Sequence, residues 1–398
     1  MSPADRLSGK PCRIGVIGIG DISDVYISNL LKYPQVEVIG CASRGLAKAE
    51  AKAAQHGLAK AYPDGYALIA DPDVDLVLNL TTPAAHFELN KAALLAGKHV
   101  YTEKPIAPTY AEARQLVELA EAKGLSIASA PDTFLGGRLQ TCRQLIDDGT
   151  LGEIVGAGAF VVSHGHEWHH PNPEFFYEPG GGPLLDIGPY YMTALLSLLG
   201  PIRSCAGMAR RTFDTRTIES EPRSGQTIPV LVDTHITGTF EFASGAIGTL
   251  IASFDVWDSE LPRIEIYGTR GTICLRDIDP LDGPNLFGGE IWLRTRDNYR
   301  WTGLPRPASL PDWTVVPVTR PFREISHQSN SRGIGLVDQV EALRIGRPPR
   351  ASGRMALHQI EAMEAILASA HDKTYRTLET TFELPQPLSA EELQGATR

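Results

Sequence analysis

The chain has 398 residues, 42% hydrophobic and 21% charged, with a formal net charge of −10. That length exceeds one ordinary core, so two domains are expected, and the composition is globular rather than disordered. The acidic balance argues against a nucleic-acid backbone or an anionic membrane as the main partner.

The N-terminal stretch "MSPADRLSGKPC" lacks the apolar core of a signal peptide. No apolar run approaches the ~18 residues that span a bilayer. The five cysteines, Cys12, Cys41, Cys142, Cys205 and Cys274, are scattered and contain no CxxC. This pattern fits buried free thiols better than a disulfide framework or a zinc knuckle. The expectation is a soluble, cytoplasmic protein.

Strand-like runs rich in Val, Ile and Leu follow at 13–17, 36–41, 74–80, 98–102 and 125–129. Such runs suit a parallel sheet covered on both faces. Helical patterns lie between them. "ISDVYISNLL" places Ile22, Val25, Tyr26 and Leu30 on one face. "TTPAAHFELNKAALLAG" has Thr82 to cap, Pro83 in the first turn and Gly97 as a stop. "TYAEARQLVELAEAKG" opens with a Thr109–Glu112 capping box and closes at Gly124. This alternation predicts a doubly wound α/β domain with right-handed crossovers.

The rhythm changes after about residue 130. A helix is expected over 139–149. Strand-like runs then dominate: "EIVGAGAFVV", "VLVDTHITGTFEF", "AIGTLIASFDV", "RIEIYG", "GTICLRD" and "EIWLRT". Alternation through Thr234, Ile236, Gly238 and Phe240 predicts a mostly antiparallel sheet with one open face. "IGLVDQVEALRIG" and "MALHQIEAMEAILASAH" read as amphipathic helices, and the Pro-rich piece 304–313 as a loop. The division expected is a dinucleotide-binding domain over 1–130 and an α/β domain over 131–398.

The first strand runs into "GIGDIS", a G-x-G-x-x-S pattern. Gly18 would allow the tight turn and Gly20 a close backbone approach to a pyrophosphate at a helix N-terminus. Ser23 would stand small where helix meets strand. The intervening Asp21 and Ile22 belong to the same cofactor loop. About twenty residues on, NAD sites carry an acid for the ribose 2′-OH. Here Ser43 and Arg44 occupy that place. A hydroxyl and a guanidinium suit a 2′-phosphate, which favours NADP(H) over NAD(H), although Arg44 stacked on adenine would be compatible with either.

With "TTPAAH" after the third core strand, "TEKP" after the fourth and "GGGPLLDIGPYY" about eighty residues later, the chain resembles the glucose-fructose oxidoreductase / inositol dehydrogenase / MocA family over nearly its whole length. The resemblance implies a Rossmann domain followed by an α/β domain whose open sheet mediates oligomers, a dimer or tetramer. It also implies an NAD(P)-dependent oxidoreductase acting on a sugar, cyclitol or related polyol. Carried over by position, the catalytic lysine is Lys104, the aspartate Asp186 and the acid/base four residues later Tyr190, where histidine is more common. Thr81, Thr82, Pro83, His86 and Glu103 fall where the family contacts cofactor.

The residues themselves agree with that chemistry. Oxidising a CH–OH carbon needs a base within hydrogen-bond reach of the oxygen while the carbon faces the nicotinamide. Lysine ordinarily titrates near 10.4, so Lys104 would need desolvation or a nearby cationic ring to serve. It lies just past the C-terminal end of a strand, where ligands of such sheets bind. Tyr190, a phenol titrating near 10, would in turn need the Lys104 ammonium, which leaves the proton donor open between the two. Asp186 either orients the substrate hydroxyl or caps a helix; its spacing from Tyr190 places both on one helical face.

In "SHGHEWHHPNPEFFYEPGGG" the spacing HxHxxHH matches no metal template, and no metal is expected. Trp168 and His169 are assigned to a sugar pocket. Asp132 and Thr133 of "APDTFLGG" are assigned to sugar hydroxyls, with turn capping as the alternative. A competing reading is an NAD-dependent glycoside hydrolase, which oxidises a ring carbon transiently and keeps its cofactor. A third is a non-catalytic NAD(P)-sensing protein, against which the presence of Lys104, Asp186 and Tyr190 counts.

Overall fold

A computed structural model describes residues 10–276, 286–296, 313–389 and 392. The N-terminal stretch through residue 9 and the Pro-rich piece over 304–312 lie outside the described residues.

The first apolar runs form parallel strands: β1 (Cys12–Ile17), β2 (Val36–Ala42), β4 (Leu76–Asn79), β5 (His99–Thr102) and β6 (Ile127–Ser129). A sixth, β3 (Lys60–Tyr62), pairs with the end of β2 at the sheet's edge. The order is β3-β2-β1-β4-β5-β6, all parallel. Helices α1 (Ile22–Leu30), α2 (Leu46–His56), α3 (Gly65–Ala70), α4 (Pro83–Leu95) and α5 (Tyr110–Ala122) make the crossovers. Apolar side chains of α3, α4 and α5 pack on the sheet around Ile17, Val77 and Val100.

Register decides where the loops emerge. Ala42, Ile17, Asn79, Thr102 and Ser129 are successive cross-strand partners. Five strands therefore end on one row, and the segments beginning at Ser43, Gly18, Leu80, Glu103 and Ala130 leave the same edge.

The chain divides into two compact units. The first comprises the described parts of Met1–Gly136, Ser326–Ile360 and Leu388–Arg398; the second is Gly137–Ile325 with Glu361–Pro387. The single cut expected at residue 130 is thus corrected: a late segment returns to the first unit. Its helix, α9 (Ile334–Ile345), is anchored there by specific polar bonds. Gln339 donates to the carbonyl of Val100, and Asn29 donates to those of Asn330 and Arg332.

The second unit holds α6 (Gly137–Asp147), α7 (Gly182–Asp186), α8 (Gly188–Leu199) and part of α10 (Gly353–Asp372), together with a nine-stranded sheet. Its strands are β7 (Ile154–Val162), β8 (Ile202–Arg210), β11 (His235–Phe242), β12 (Ile247–Ser253), β13 (Ile264–Gly268), β14 (Gly271–Leu275), β15 (Ile291–Thr295), β16 (Thr314–Val316) and β17 (Arg376–Thr377). The order is β16-β15-β14-β13-β7-β12-β11-β8-β17, antiparallel except for the parallel β7–β12 pair. β9 (Thr215–Thr217) and β10 (Thr227–Pro229) form a separate ribbon.

The two faces differ as alternation requires. Ile236, Phe240, Leu250 and Ile264 are buried, and α7 and α8 pack over β7 and β12. On the opposite face Met208, Ile247 and Tyr267 stand 77%, 63% and 36% exposed.

Candidate active site

The turn after β1 is built for a close ligand. Gly18 has φ +92, and a Cβ there would lie 2.6 Å from the Leu80 carbonyl, so only glycine fits. A Cβ on Gly20 would meet nothing within 4 Å, so its missing side chain leaves open space. Ser23 is fully buried and its hydroxyl donates to the Gly20 carbonyl at 2.6 Å, closing the turn from within. Asp21 stands at the N-cap of α1 without making a side-chain cap, and Ile22 opens the helix. Uncapped amides and open space at Gly20 fit a dinucleotide pyrophosphate.

At the end of β2, Ser43 is half-buried and Arg44 exposed, and the Arg44 side chain has no polar partner among the described residues. Lys48 is exposed in the first turn of α2.

After β4, the Thr81 amide and hydroxyl both donate to Asn79 Oδ1, at 3.1 and 2.7 Å. Thr82 occupies the N-cap of α4 without a side-chain cap, and Pro83 begins the helix. After β5, the Lys104–Pro105 bond is cis. Glu103 braces this turn: Tyr26 donates its hydroxyl to Oε1 and the Lys104 amide donates to Oε2. Asn79 donates to Asn90, which donates to the Ile106 carbonyl. These two asparagines were not singled out from sequence.

The structure corrects two assignments. His86 is fully buried with both ring nitrogens against backbone carbonyls, so it has no edge left for a cofactor. Asp132 is buried, and its Oδ2 accepts from the amides of Gly333 and Gly335 at 2.8 and 3.0 Å. It is the polar anchor of α9, the capping alternative in place of a sugar contact. Burial pushes its pKa up to about 6, against the pull of those amides and of Arg332. Thr133 is likewise buried, in a short 3-10 turn.

In the second unit, Asp186 ends α7 and Tyr190 lies in the first turn of α8. The expected single helix is broken at Ile187, because Pro189 has no N–H to continue the ladder. Trp168 and His169 are both exposed, with ring centroids 4.3 Å apart. Two of the four histidines stack on aromatic rings: His164 on Trp257 at 3.4 Å and His166 on Phe176 at 4.0 Å. Burial lowers the His166 pKa to about 4, opposed by the nearby Asp186 carboxylate. Among the described residues, no three His, Cys, Asp or Glu side chains gather as a metal site.

Beneath this segment lies a buried ionic cluster. Arg216 donates to Glu167 at 2.8 Å and to Asp255, while Tyr177 donates to Glu167 and Thr234 to Asp255.

Comparison with known proteins agrees with both halves. Residues 12–130 match the oxidoreductase family with an NAD-binding Rossmann fold, and 139–274 match the GFO/IDH/MocA C-terminal domain. A dTDP-3,4-didehydro-2,6-dideoxy-alpha-D-glucose 3-reductase of Streptomyces antibioticus is 32% identical over 293 residues, covering 70% of this chain and 85% of that protein. The chain belongs to the GFO/IDH/MocA oxidoreductase family.

Another family relative, a D-glucoside 3-dehydrogenase of Escherichia coli, is 29% identical over 279 residues, covering 68% of this chain and 78% of its own length. A solved structure of levoglucosan dehydrogenase in complex with NADH has the same fold, with a TM-score of 0.76 at 20% identity, covering 93% of this chain and all of the other. The first domain is therefore an NAD-type dinucleotide-binding domain, as in other GFO/IDH/MocA proteins. Among the described residues no helix is long and apolar enough to cross a membrane.

Proposed function

We propose that the protein transfers hydride between a nicotinamide cofactor and a CH–OH carbon of a sugar or sugar derivative, with Lys104 and Tyr190 in proton transfer. The observation that carries this is the shared row of strand ends. It sets the Gly18–Gly20 turn and the Glu103–Lys104 turn two strands apart, about 10 Å, on one edge of a parallel sheet. When bound, the nicotinamide supplies the hydride acceptor or donor. The Gly20 backbone and the α1 amides hold the pyrophosphate. Ser43 and Arg44 hold a 2′-phosphate, which makes NADP(H) the preferred form. Lys104 takes the hydroxyl proton in the oxidative direction, alone or with Tyr190, and Asp186 fixes the hydroxyl by accepting its hydrogen bond. Trp168 and His169 offer an apolar face and a polar edge to a pyranose.

Two relatives carry position 3 in their names, as a 3-reductase and a 3-dehydrogenase. The C3 hydroxyl of a hexopyranose or its glycoside is therefore the first site to test. The open face of the nine-stranded sheet supports a homo-oligomer, and the five buried free thiols support a reducing, cytoplasmic setting.

The test is turnover of purified protein with NADP+ or NAD+ on a panel of methyl glucosides, D-xylose and myo-inositol, followed by nicotinamide absorbance and by mass of the oxidised product. Formation of a 3-keto sugar, lost in Lys104→Ala, is expected. Full turnover in Lys104→Ala would sink the lysine's role. Release of a glycoside's aglycone without net cofactor reduction would replace this reading with redox-assisted hydrolysis.

A further inference from the structure

His86 lies in the first turns of α4, fully buried, with a backbone carbonyl at each ring nitrogen. Nδ1 is 2.6 Å from the oxygen of Pro105, and Nε2 is 2.9 Å from the oxygen of Thr81. A carbonyl oxygen has only lone pairs to offer, so each contact needs a hydrogen on nitrogen. Neutral imidazole carries one N–H and one bare lone pair; imidazolium carries two N–H groups. In the neutral form one of these contacts sets lone pair against lone pair at hydrogen-bond distance. Only the protonated ring donates to both.

We propose that His86 is a positioning residue for Lys104: a proton-dependent clamp that, when doubly protonated, ties the carbonyl following the lysine to the carbonyl of Thr81 beyond β4. This rests on Lys104 being the proton-transfer group. A second strut makes the geometry specific. Asn90 is four residues on along the same face of α4 and donates to the next carbonyl, that of Ile106, at 3.1 Å. One helix thus grips two consecutive carbonyls of the turn, through one titratable side chain and one that does not titrate.

The groups around the ring set the direction of its response. Burial disfavours the cation, and the charge of Lys104 works against it. The carbonyls of Pro105 and Thr81 and the carboxylate of Glu103 favour it. The outcome is a pKa below the ordinary histidine value. The clamp is therefore closed on the acid side, and one contact is released as pH rises. The proton on His86 and the proton on Lys104 disfavour each other, so closing the clamp eases proton loss from the lysine.

Imidazole 15N resonances of the full-length protein, assigned through the backbone, would be followed from about pH 5 to about pH 8, the range in which histidine titrates. Both His86 nitrogens should show N–H at the acid end and one should lose it below the ordinary midpoint. In kinetics on the acid side of that titration, where the clamp is closed, His86→Gln keeps one donor nitrogen and should lower kcat about tenfold, the worth of one hydrogen bond. His86→Phe keeps none and should lower it about a hundredfold, the cost of a misplaced catalytic group. NADPH affinity should move less than about threefold in both. The pH dependence of kcat should lose one ionisation in His86→Gln and keep its shape in Asn90→Ala. A single neutral tautomer throughout, or a His86→Gln profile superimposable on the unsubstituted one, would overturn the clamp. The 15N titration needs no substrate, so absent sugar turnover would count against the proposed function without deciding this point.

Discussion

Tyr26 and Glu103 are joined by a 2.7 Å hydrogen bond from the phenol to Oε1, which links the helix of the cofactor turn to the turn that carries Lys104. Tyr26 is fully buried, and its phenol is held well above the ordinary value by burial and the adjacent carboxylate, so it is a permanent donor. Tyr26→Phe removes that donor and leaves a half-buried carboxylate oxygen short of a partner. A loss of about 1–3 kcal/mol in urea unfolding is expected. Because Glu103 also receives the Lys104 amide, kcat should fall with it. Unchanged kcat in a destabilised variant would show that the bond serves stability alone.

Arg44 distinguishes the two cofactors. Its exposed guanidinium stands one residue past the half-buried Ser43 hydroxyl. A bidentate bond to a 2′-phosphate is charge-assisted and absent with NADH. Arg44→Ala should weaken NADPH binding about tenfold or more, about 1.4 kcal/mol, and change NADH binding by less than about threefold. Equal losses for both cofactors, read by calorimetric titration, would mean that Arg44 stacks on adenine instead.

The sequence made visible what is continuous along the chain. The strands of the first sheet are runs of Val, Ile and Leu, and five were read within a few residues of their bounds. β3 was missed because Lys60–Tyr62 is three half-buried residues at an edge and carries no apolar run. β8 was missed because "IRSCAGMAR" mixes small, polar and apolar residues, and pairing with β11 rather than composition makes it a strand. Site residues defined by a backbone turn, Gly18 and Gly20, were legible from pattern. Those defined by what they bond were not. His86 and Asn90 reach carbonyls 19 and 16 residues away, and Asp132 reaches amides some 200 residues on. The break between Asp186 and Tyr190 was hidden by a spacing that suits one helix, although Pro189 stood between them.

Asp132 gives a pH-dependent stability of defined sign. Its pKa is about 6 in the folded chain, against an ordinary value of 3.8. Between those values the native state holds more of this proton than the unfolded state does. Stability contributed by this group therefore falls as pH rises from about 4 to about 6 and is flat beyond. Asp132→Asn can still accept from Gly333 and Gly335 but does not titrate. Urea unfolding should show the variant gaining on the unsubstituted protein across that window, by on the order of 1 kcal/mol or more. A difference independent of pH would place the titration elsewhere.

Met208, Ile247 and Tyr267 share the outward face of the second sheet and are exposed despite their apolar surface. If a second copy covers this face, Ile247→Glu with Met208→Glu buries two charges in the interface. Light scattering should then show monomer where the unsubstituted protein is a dimer or larger. A monomeric unsubstituted protein would remove the oligomer from the proposal.

Arg216 holds the segment that presents Trp168 and His169. Its side chain is 5% exposed and is paired with Glu167 and Asp255, 6% and 7% exposed. Glu167 immediately precedes Trp168, so the ion cluster fixes the backbone from which that ring projects. Removing one member of such a cluster strands the others as buried charges, which costs about 3–5 kcal/mol. Arg216→Met should lose about that much in chemical unfolding. Adding Glu167→Gln and Asp255→Asn removes both stranded charges and should recover a large part of the loss. Sugar KM should follow the same order, worst in the single variant and better in the triple. A single variant that unfolds within about 1 kcal/mol of the unsubstituted protein would mean that water reaches the cluster and that the pairs act as ordinary surface bridges.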